Sequence, residues 1–509
     1  MRTKLTFINT IASVVQSIMP FLLQFLSRTV FIATLGVSYL GLNSIFNDLF
    51  TMLSLMELGI GSAMTFFLYE PLANDDIDRI KKLMKLYEQL YRLIGISMGF
   101  VGICLIPFLD SIVNTETPIE NLTVFYLLML LNLVVSYLFT YKRSIFTADQ
   151  KNYINSVNDL IFLLLRHIFQ IAILLITKNY LAYLIIAIII TISSNISISI
   201  RADKQYPYLR EKVIDKLPIS DIKHIFSRVS ALFAHKLGSV VAFGTDNLMM
   251  SVFGSIKFVG LYANYTLIIN AINLVIMSLF NNMTASLGNL SISADSSKVY
   301  LVFKRANFIN YILIGFSSIC MFFLFNPFIS LWLGEDFTLS QVTIWIIVVN
   351  FYLSGMRQVA LSFSNAKGYF WETRYKPIFE AGIDLLFSIL LGYFYGPLGI
   401  LIASTISFVA TVWVEPFVLY KKWFNVPARI YFIDYAKKIL LTLFIGYLVY
   451  LSLNIIPNSE NNIFVHFVLV ISLTLFLLVV VFLKNEEFKY YLNLATKLLK
   501  KDDLRNLKD

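Results

Sequence analysis

Along this chain, apolar runs long enough to cross a bilayer alternate with short polar breaks. About 20 apolar residues in helical form span the hydrocarbon core. Fourteen such runs can be drawn, at about 8–34, 39–67, 90–113, 120–141, 154–177, 180–200, 225–252, 258–285, 306–333, 338–363, 377–395, 397–419, 432–455 and 463–483. Runs of this length, without strict alternation of apolar and polar residues, predict helices rather than strands. Pro20, Pro107, Pro327 and Gly382 fall inside them, where membrane helices tolerate such residues and often bend. The first two runs are joined by a tight turn at Gly36-Val37-Ser38 and contain three full charges, Arg28, Asp48 and Glu57. Charge inside a span is expensive and marks a candidate functional site.

Composition agrees with the pattern. The chain has 509 residues, 58% hydrophobic and 14% charged, against about 45–50% and 25% in soluble domains. The expected class is an all-α polytopic membrane protein. The net charge of +10 does not call for nucleic acid, because Lys and Arg collect in cytoplasmic loops. With the N-terminus inside, the inner segments hold 33 of the 41 Lys and Arg, the outer segments only Lys178 and Lys257, and the spans six. Both termini are therefore expected in the cytoplasm. Arg2 and Lys4 precede a first run too long for a signal-peptide core, so a retained helix is expected. Cys104 and Cys320 lie in apolar runs without metal-type spacing. The tail from Lys484 reads as a basic amphipathic helix, solvated or lying at the interface.

The chain repeats itself. Tyr91-Arg-Leu-Ile-Gly-Ile-Ser97 returns as Tyr311-Ile-Leu-Ile-Gly-Phe-Ser317, and Pro107-Phe108 as Pro327-Phe328. Tyr39-Leu-Gly-Leu42 returns as Phe258-Val-Gly-Leu261, at an offset of 219 (258 − 39). Spans 1–6 thus correspond to spans 7–12. Six is even, so the repeat is parallel, with a pseudo-two-fold axis along the membrane normal. The expected organisation is an N-lobe at 1–200, a basic linker at 201–224 and a C-lobe at 225–420. Two extra helices at 421–484 and a basic tail at 485–509 follow. Two parallel lobes around one cleft are a plan for alternating access.

The intramembrane charges supply the candidate chemistry. Arg28 and Asp48 each lie ten residues or so from the turn, or ~15 Å down at 1.5 Å per residue, near the midplane. They are placed to pair on neighbouring antiparallel helices. The repeat maps Arg28 beside Asp246 and Asn247, so Arg28 and Asp246 either face each other across the cleft or pair within their own lobes. Span 7 is the most polar, with Arg228, His235, Lys236 and Asp246, and its cations suit an anionic ligand. Arg166 and His167 lie mid-span in span 5. Arg357, Glu380, Asp384 and Glu415 lie nearer cytoplasmic ends, as does Glu57. Asp48 and Asp246, with Glu57, are candidates to bind a coupling H⁺ or Na⁺ or to pair with a cation, as by neutralising Arg28. No Walker A sequence, HExxH, Cys/His cluster or serine-triad arrangement is present, which argues against an enzyme and against a cofactor.

Three stretches carry a family resemblance: Tyr39-Leu-Gly-Leu-Asn-Ser-Ile-Phe, Leu55-Met-Glu-Leu-Gly-Ile-Gly-Ser-Ala and Leu68-Tyr-Glu-Pro-Leu-Ala. With Val259-Gly-Leu-Tyr262 and Asn326-Pro-Phe-Ile-Ser-Leu-Trp-Leu-Gly-Glu-Asp336, they resemble the Wzx-type polysaccharide flippases. That family belongs to the multidrug/oligosaccharidyl-lipid/polysaccharide superfamily, which also holds the MATE exporters. The resemblance implies a MATE-like pair of six-helix lobes around a cationic cavity in a bacterial cytoplasmic membrane. It implies translocation of an undecaprenyl-pyrophosphate-linked oligosaccharide for surface polysaccharide biosynthesis, beside a polysaccharide polymerase and glycosyltransferases. It implies substrate contacts from Arg28, which matches a functional first-helix arginine of relatives, and more weakly from Arg166, Lys236 and Arg357. Arg228 joins them as a charge at the cytoplasmic mouth. Three rivals are set against this reading. They are a multidrug/cation antiporter of the same fold, a membrane-embedded glycan polymerase or transferase, and a non-transporting scaffold.

Overall fold

The computed structural model describes residues 2–57, 60–115, 119–211, 217–219, 221–223, 225, 245–293, 295–455 and 463–499. Among these residues the secondary structure is helical, with no strand. The chain opens with α1 (Arg2–Leu35), α2 (Val37–Leu53), α3 (Ile60–Ala73), α4 (Ile77–Cys104) and α5 (Leu109–Ile112). It continues with α6 (Leu122–Phe139), α7 (Arg143–Ala148), α8 (Tyr153–Thr177) and α9 (Tyr180–Gln205). After the basic linker come α10 (Asp246–Val252), α11 (Ile256–Ser293), α12 (Ser296–Leu333), α13 (Gln341–Met356) and α14 (Gln358–Lys367). Then follow α15 (Lys376–Tyr395), α16 (Pro397–Thr411), α17 (Val414–Leu419), α18 (Arg429–Ile455), α19 (Ile463–Phe482) and α20 (Glu486–Leu499).

Ten helical segments among the described residues are long and apolar enough to cross a membrane, and a bent pair across 122–148 makes eleven. The predicted hairpin turn is present. Gly36 alone breaks the chain between α1 and α2, at φ +88°, a conformation that costs glycine little and other residues much. The second run is not one helix, contrary to the expectation of a continuous span. It stops at Leu53, tightens into a 3-10 turn at Ser54–Glu57 and resumes at Ile60. Ser54 Oγ donates to Thr51 O at 2.6 Å, a local bond of the kind that competes with helix continuation.

The chain packs as two compact units, 1–267 with 385–400, and 268–384 with 401–509. Large apolar side chains stay outside: Ile176 is 79% exposed and Phe464 78%, as lipid-facing positions would be. Lipid is as apolar as leucine, so close packing and hydrogen bonds hold membrane helices together rather than flight from solvent. In the first unit Tyr126 is fully buried, its ring 5.2 Å from Phe46 and its hydroxyl donating to Gly102 O at 2.8 Å. In the second, the two helices beyond the repeat, α18 and α19, dock on α12. Ile445, Val449, Leu453, Val470 and Leu478 close there on Ile319 and Leu324. The tail helix α20 is amphipathic, as its sequence predicts. Glu487 pairs with Lys304 at 3.3 Å, and the Arg305 guanidinium lies 3.5 Å over the Tyr490 ring.

Candidate functional site

The intramembrane charges of the first unit gather on α1, α2, α8, α10 and α11. Arg28, on α1, donates from Nη1 to Ala263 O of α11 at 2.5 Å. One residue earlier, Ser27 Oγ lies 2.5 Å from His167 Nδ1 on α8, along which α1 packs. Arg166 precedes that histidine. The Tyr183 hydroxyl on α9 lies within coulombic reach of both Arg28 and Arg166, and its ring meets Phe31 edge-on at 5.2 Å. Two guanidiniums thus converge near one tyrosine inside apolar helices. A guanidinium carries five N–H donors, and among the described residues Ala263 takes a bond from Arg28. The remaining donors suit a phosphate or pyrophosphate. Tyr183 was not singled out by the sequence, in which nothing marks one tyrosine among 28.

Arg28 does not pair with Asp48, contrary to the sequence expectation. Asp48 Oδ2 accepts from Asn247 Nδ2 at 2.7 Å. The repeat gives the physical reason. At an offset of 219, Asn247 is the counterpart of Arg28 (247 − 28), and Ala263 of Ser44 (263 − 44). Each half's first helix therefore donates to the other half's second helix, and the bonds cross between repeats instead of closing within one hairpin. Asp246 and Asp48 both lie within coulombic reach of the Tyr262 hydroxyl.

A close backbone crossing makes this exchange possible. A Cβ on Gly41 would lie 2.0 Å from Ile256 O, and a Cβ on Gly260 would lie 2.2 Å from Val37 O. The contact is pseudo-symmetric, because Gly260 corresponds to Gly41 and Ile256 to Val37 at the same offset (260 − 41, 256 − 37). The surrounding chain is tied in as well. Ile256 N donates to Asn114 O at 3.0 Å, Asn114 Nδ2 to Gly254 O at 2.8 Å, and Ser251 Oγ to Ile112 O at 2.6 Å. These bonds lie at the end of α4 opposite its lysine-rich start, so the helices are fastened together at their charge-poor ends.

Glu57 sits apart from this group. Tyr91 Oη donates to its Oε1 at 2.7 Å and Tyr137 Oη to its Oε2 at 3.5 Å. The Tyr87 and Tyr91 rings lie 4.6 Å apart, and Tyr91 stacks on Tyr137. The 87/91 spacing is one helical turn, a signal available in the sequence.

In the second unit, Arg357 lies in a buried ion network. Its Nη1 meets Glu380 Oε1 at 2.6 Å, and Lys376 Nζ meets Glu415 Oε1 at 2.6 Å and Glu380 Oε2 at 3.8 Å. The guanidinium also lies 4.9 Å over Phe408. Two cations face two carboxylates in these contacts. Asp384 is buried nearby on the helix that carries Glu380. The sequence reading overlooked Lys376, although it stands one helical turn from Glu380. Arg228, His235 and Lys236 lie outside the described residues. Among the described residues, no three of His, Cys, Asp and Glu are placed to hold a metal ion.

No family profile matches the chain, and no curated protein sequence matches it. Solved structures do. The lipid II flippase MurJ, in an inward closed conformation, aligns with a TM-score of 0.69 at 16% identity over 93% of this chain and 98% of its own. An inward-facing multidrug-resistance MATE transporter of the MOP superfamily aligns at 0.56 and 14% identity, over 78% and 92%. A MATE transporter of Vibrio cholerae aligns at 0.55 and 15% identity, over 82% and 98%. The chain therefore has the all-α polytopic fold of the MOP-superfamily transporters, and the proteins that share it here are transporters and a flippase rather than enzymes.

Proposed function

We propose that this protein is a flippase in a bacterial cytoplasmic membrane, with both termini inside. It carries an undecaprenyl-pyrophosphate-linked oligosaccharide from the inner to the outer leaflet by alternating access. The observation that carries the reading is the convergence of Arg28 and Arg166 near Tyr183 within apolar helices. Cations there are expensive, and an anionic headgroup would offset the cost. The sugar would occupy the wet cleft and the polyprenyl tail would stay in lipid. The bonded, charge-poor ends of α2, α10 and α11 would form the outer closure while the site faces the inner leaflet. The expected neighbours in the pathway are glycosyltransferases that build the oligosaccharide and a polymerase that consumes it.

Arg28→Ala tests this in cells. Surface polysaccharide should be lost while the protein still inserts at normal abundance; normal polymer levels would exclude Arg28 from the site. A second reading has its own support. Asp48 and Asp246 share the neighbourhood of Tyr262, as a site for H⁺, Na⁺ or an organic cation would. Either the pair couples an ion gradient to flipping, or the protein is a drug/cation antiporter of the same fold. Growth that depends on the protein in the presence of cationic drugs, with polysaccharide unaffected by its deletion, would favour the antiporter.

A further inference from the structure

A second cationic cluster lies at the lysine-rich end of the first unit, on residues other than those around Arg28. A cavity of about 400 Å³ opens there between the first turns of α4, the segment after α6 and the segment after α9. Lys81, Lys85, Lys142 and Arg210 line it, with Glu88 and Glu211. Its volume falls in the range of small-molecule pockets.

The charges around it do not balance. Lys81 meets Glu211 at 3.0 Å, and Lys85 meets Glu88 at 3.0 Å. Arg92 meets Glu88 at 2.5 Å. Lys142 meets Asp203 at 2.5 Å, and Arg210 meets the same Asp203 at 3.7 Å. Among the described residues, five cations thus share three carboxylates in these ion pairs, and two of the acids are each divided between two partners. Among the described residues the surplus in these pairs is two positive charges. An ammonium has three donors and a guanidinium five, so these contacts leave donors to spare. The Lys142 and Lys81 side chains are only 13% and 18% exposed, so part of this charge is held out of water, where a matching anion gains most. The Tyr141 ring forms part of the wall, and Met84 and Leu209 give an apolar floor.

We propose that this cavity binds a phosphate-bearing anion of about two negative charges. A phosphate monoester carries −1.5 to −2 at neutral pH, with three acceptor oxygens. Lysines bind phosphate as point charges, and Arg210 adds a planar fork. The shared chemistry is a phosphate or pyrophosphate group, from a soluble ligand or from a lipid headgroup. The site goes beyond the transport reading and does not depend on it.

The test uses the full-length protein in detergent and in nanodiscs. Binding of inorganic pyrophosphate is titrated by calorimetry, and melting temperature is compared in phosphatidylglycerol and phosphatidylcholine nanodiscs. The variants are Lys142→Gln and Arg210→Gln; the Arg210 side chain is 63% exposed, so its loss leaves folding intact. Each variant should weaken pyrophosphate binding by about 10-fold, the scale of one charge-assisted contact, and the affinity should fall with added salt. The same weakening by Lys142→Gln and Arg210→Gln should appear in an Arg28→Ala background, where the intramembrane guanidinium no longer offers a second place for pyrophosphate, and this separates the two sites. Weakened pyrophosphate binding identifies a soluble ligand. Stabilisation by phosphatidylglycerol alone, lost in both variants, identifies a headgroup. Neither effect in the wild type, or equal binding by wild type and both variants, overturns the proposal.

Discussion

Replacing Gly41 with alanine should open the bonded ends of α2 and α11. The new Cβ would stand 2.0 Å from Ile256 O and 3.0 Å from Gly260 N, both backbone atoms. Ordinary contact begins at 3.4 Å, so the two backbones must part by about 1.4 Å (3.4 − 2.0). No side chain is there to yield. Overpacking costs about 1–3 kcal/mol, and a rigid backbone neighbour puts this site at the upper end. About 3 kcal/mol shifts a two-state equilibrium by roughly 150-fold. Gly260→Ala should match it, because the contact is pseudo-symmetric. Gly446→Ala is the control: nothing lies within 4 Å of its Cβ, and helix propensity should make it neutral or slightly stabilising. The assay is labelling by a membrane-impermeant maleimide at Ala263→Cys, a position 7% exposed. Cys104→Ser and Cys320→Ser remove the native thiols. Labelling from outside should accelerate strongly with Gly41→Ala and Gly260→Ala and not with Gly446→Ala. Equal rates in all three would refute the closure.

Three further outcomes follow from the same geometry. Asn247→Leu removes the donor to Asp48 and should speed the same labelling by roughly 10-fold, the scale of one buried polar contact to a charged group. Glu415→Leu should lower stability by about 3–5 kcal/mol, because it removes the acceptor at 2.6 Å and leaves Lys376 the 3.8 Å contact to Glu380; thermal unfolding in detergent reads this. The double variant Lys376→Met/Glu415→Leu should recover most of the loss, and a double variant as unstable as the single would contradict a charge-burial cause. Tyr91→Phe takes the 2.7 Å donor from Glu57 and should cost about 1.5–3 kcal/mol in the same assay, more than Tyr137→Phe at 3.5 Å.

The apolar runs made the helices legible, because the bilayer demands length and apolarity in continuous stretches. Gly36 was legible as a turn for the same reason that it forms one. The break after Leu53 was not, since Ser54 is unremarkable in an apolar run until its hydroxyl finds Thr51 O. The repeat named Asn247 as the counterpart of Arg28 but could not say which helix either one reaches. That depends on Gly41 and Gly260 meeting across more than 200 residues of chain, and small residues leave no local signature of the partner they admit. A pairing rule based on depth alone put Arg28 with Asp48. Depth was the wrong criterion where the nearest acceptor is a backbone carbonyl on another repeat. Lys376 was not legible because it closes a run of cations, Lys367, Arg374 and Lys376, of the kind that collects in cytoplasmic loops, and only its burial beside Glu380 and Glu415 shows that it points inward.

Reconstitution gives the most direct test of the proposed flippase. The purified protein is placed in liposomes carrying undecaprenyl-pyrophosphate-linked oligosaccharide on one leaflet, and the oligosaccharide newly reached by a glycosidase on the other side is counted over time. Wild-type protein should transfer it well above the rate of protein-free liposomes, and Arg28→Ala should fall at least about 10-fold, one charge-assisted contact's worth. A wild-type rate equal to that of empty liposomes, or an Arg28→Ala rate equal to wild type, would contradict it.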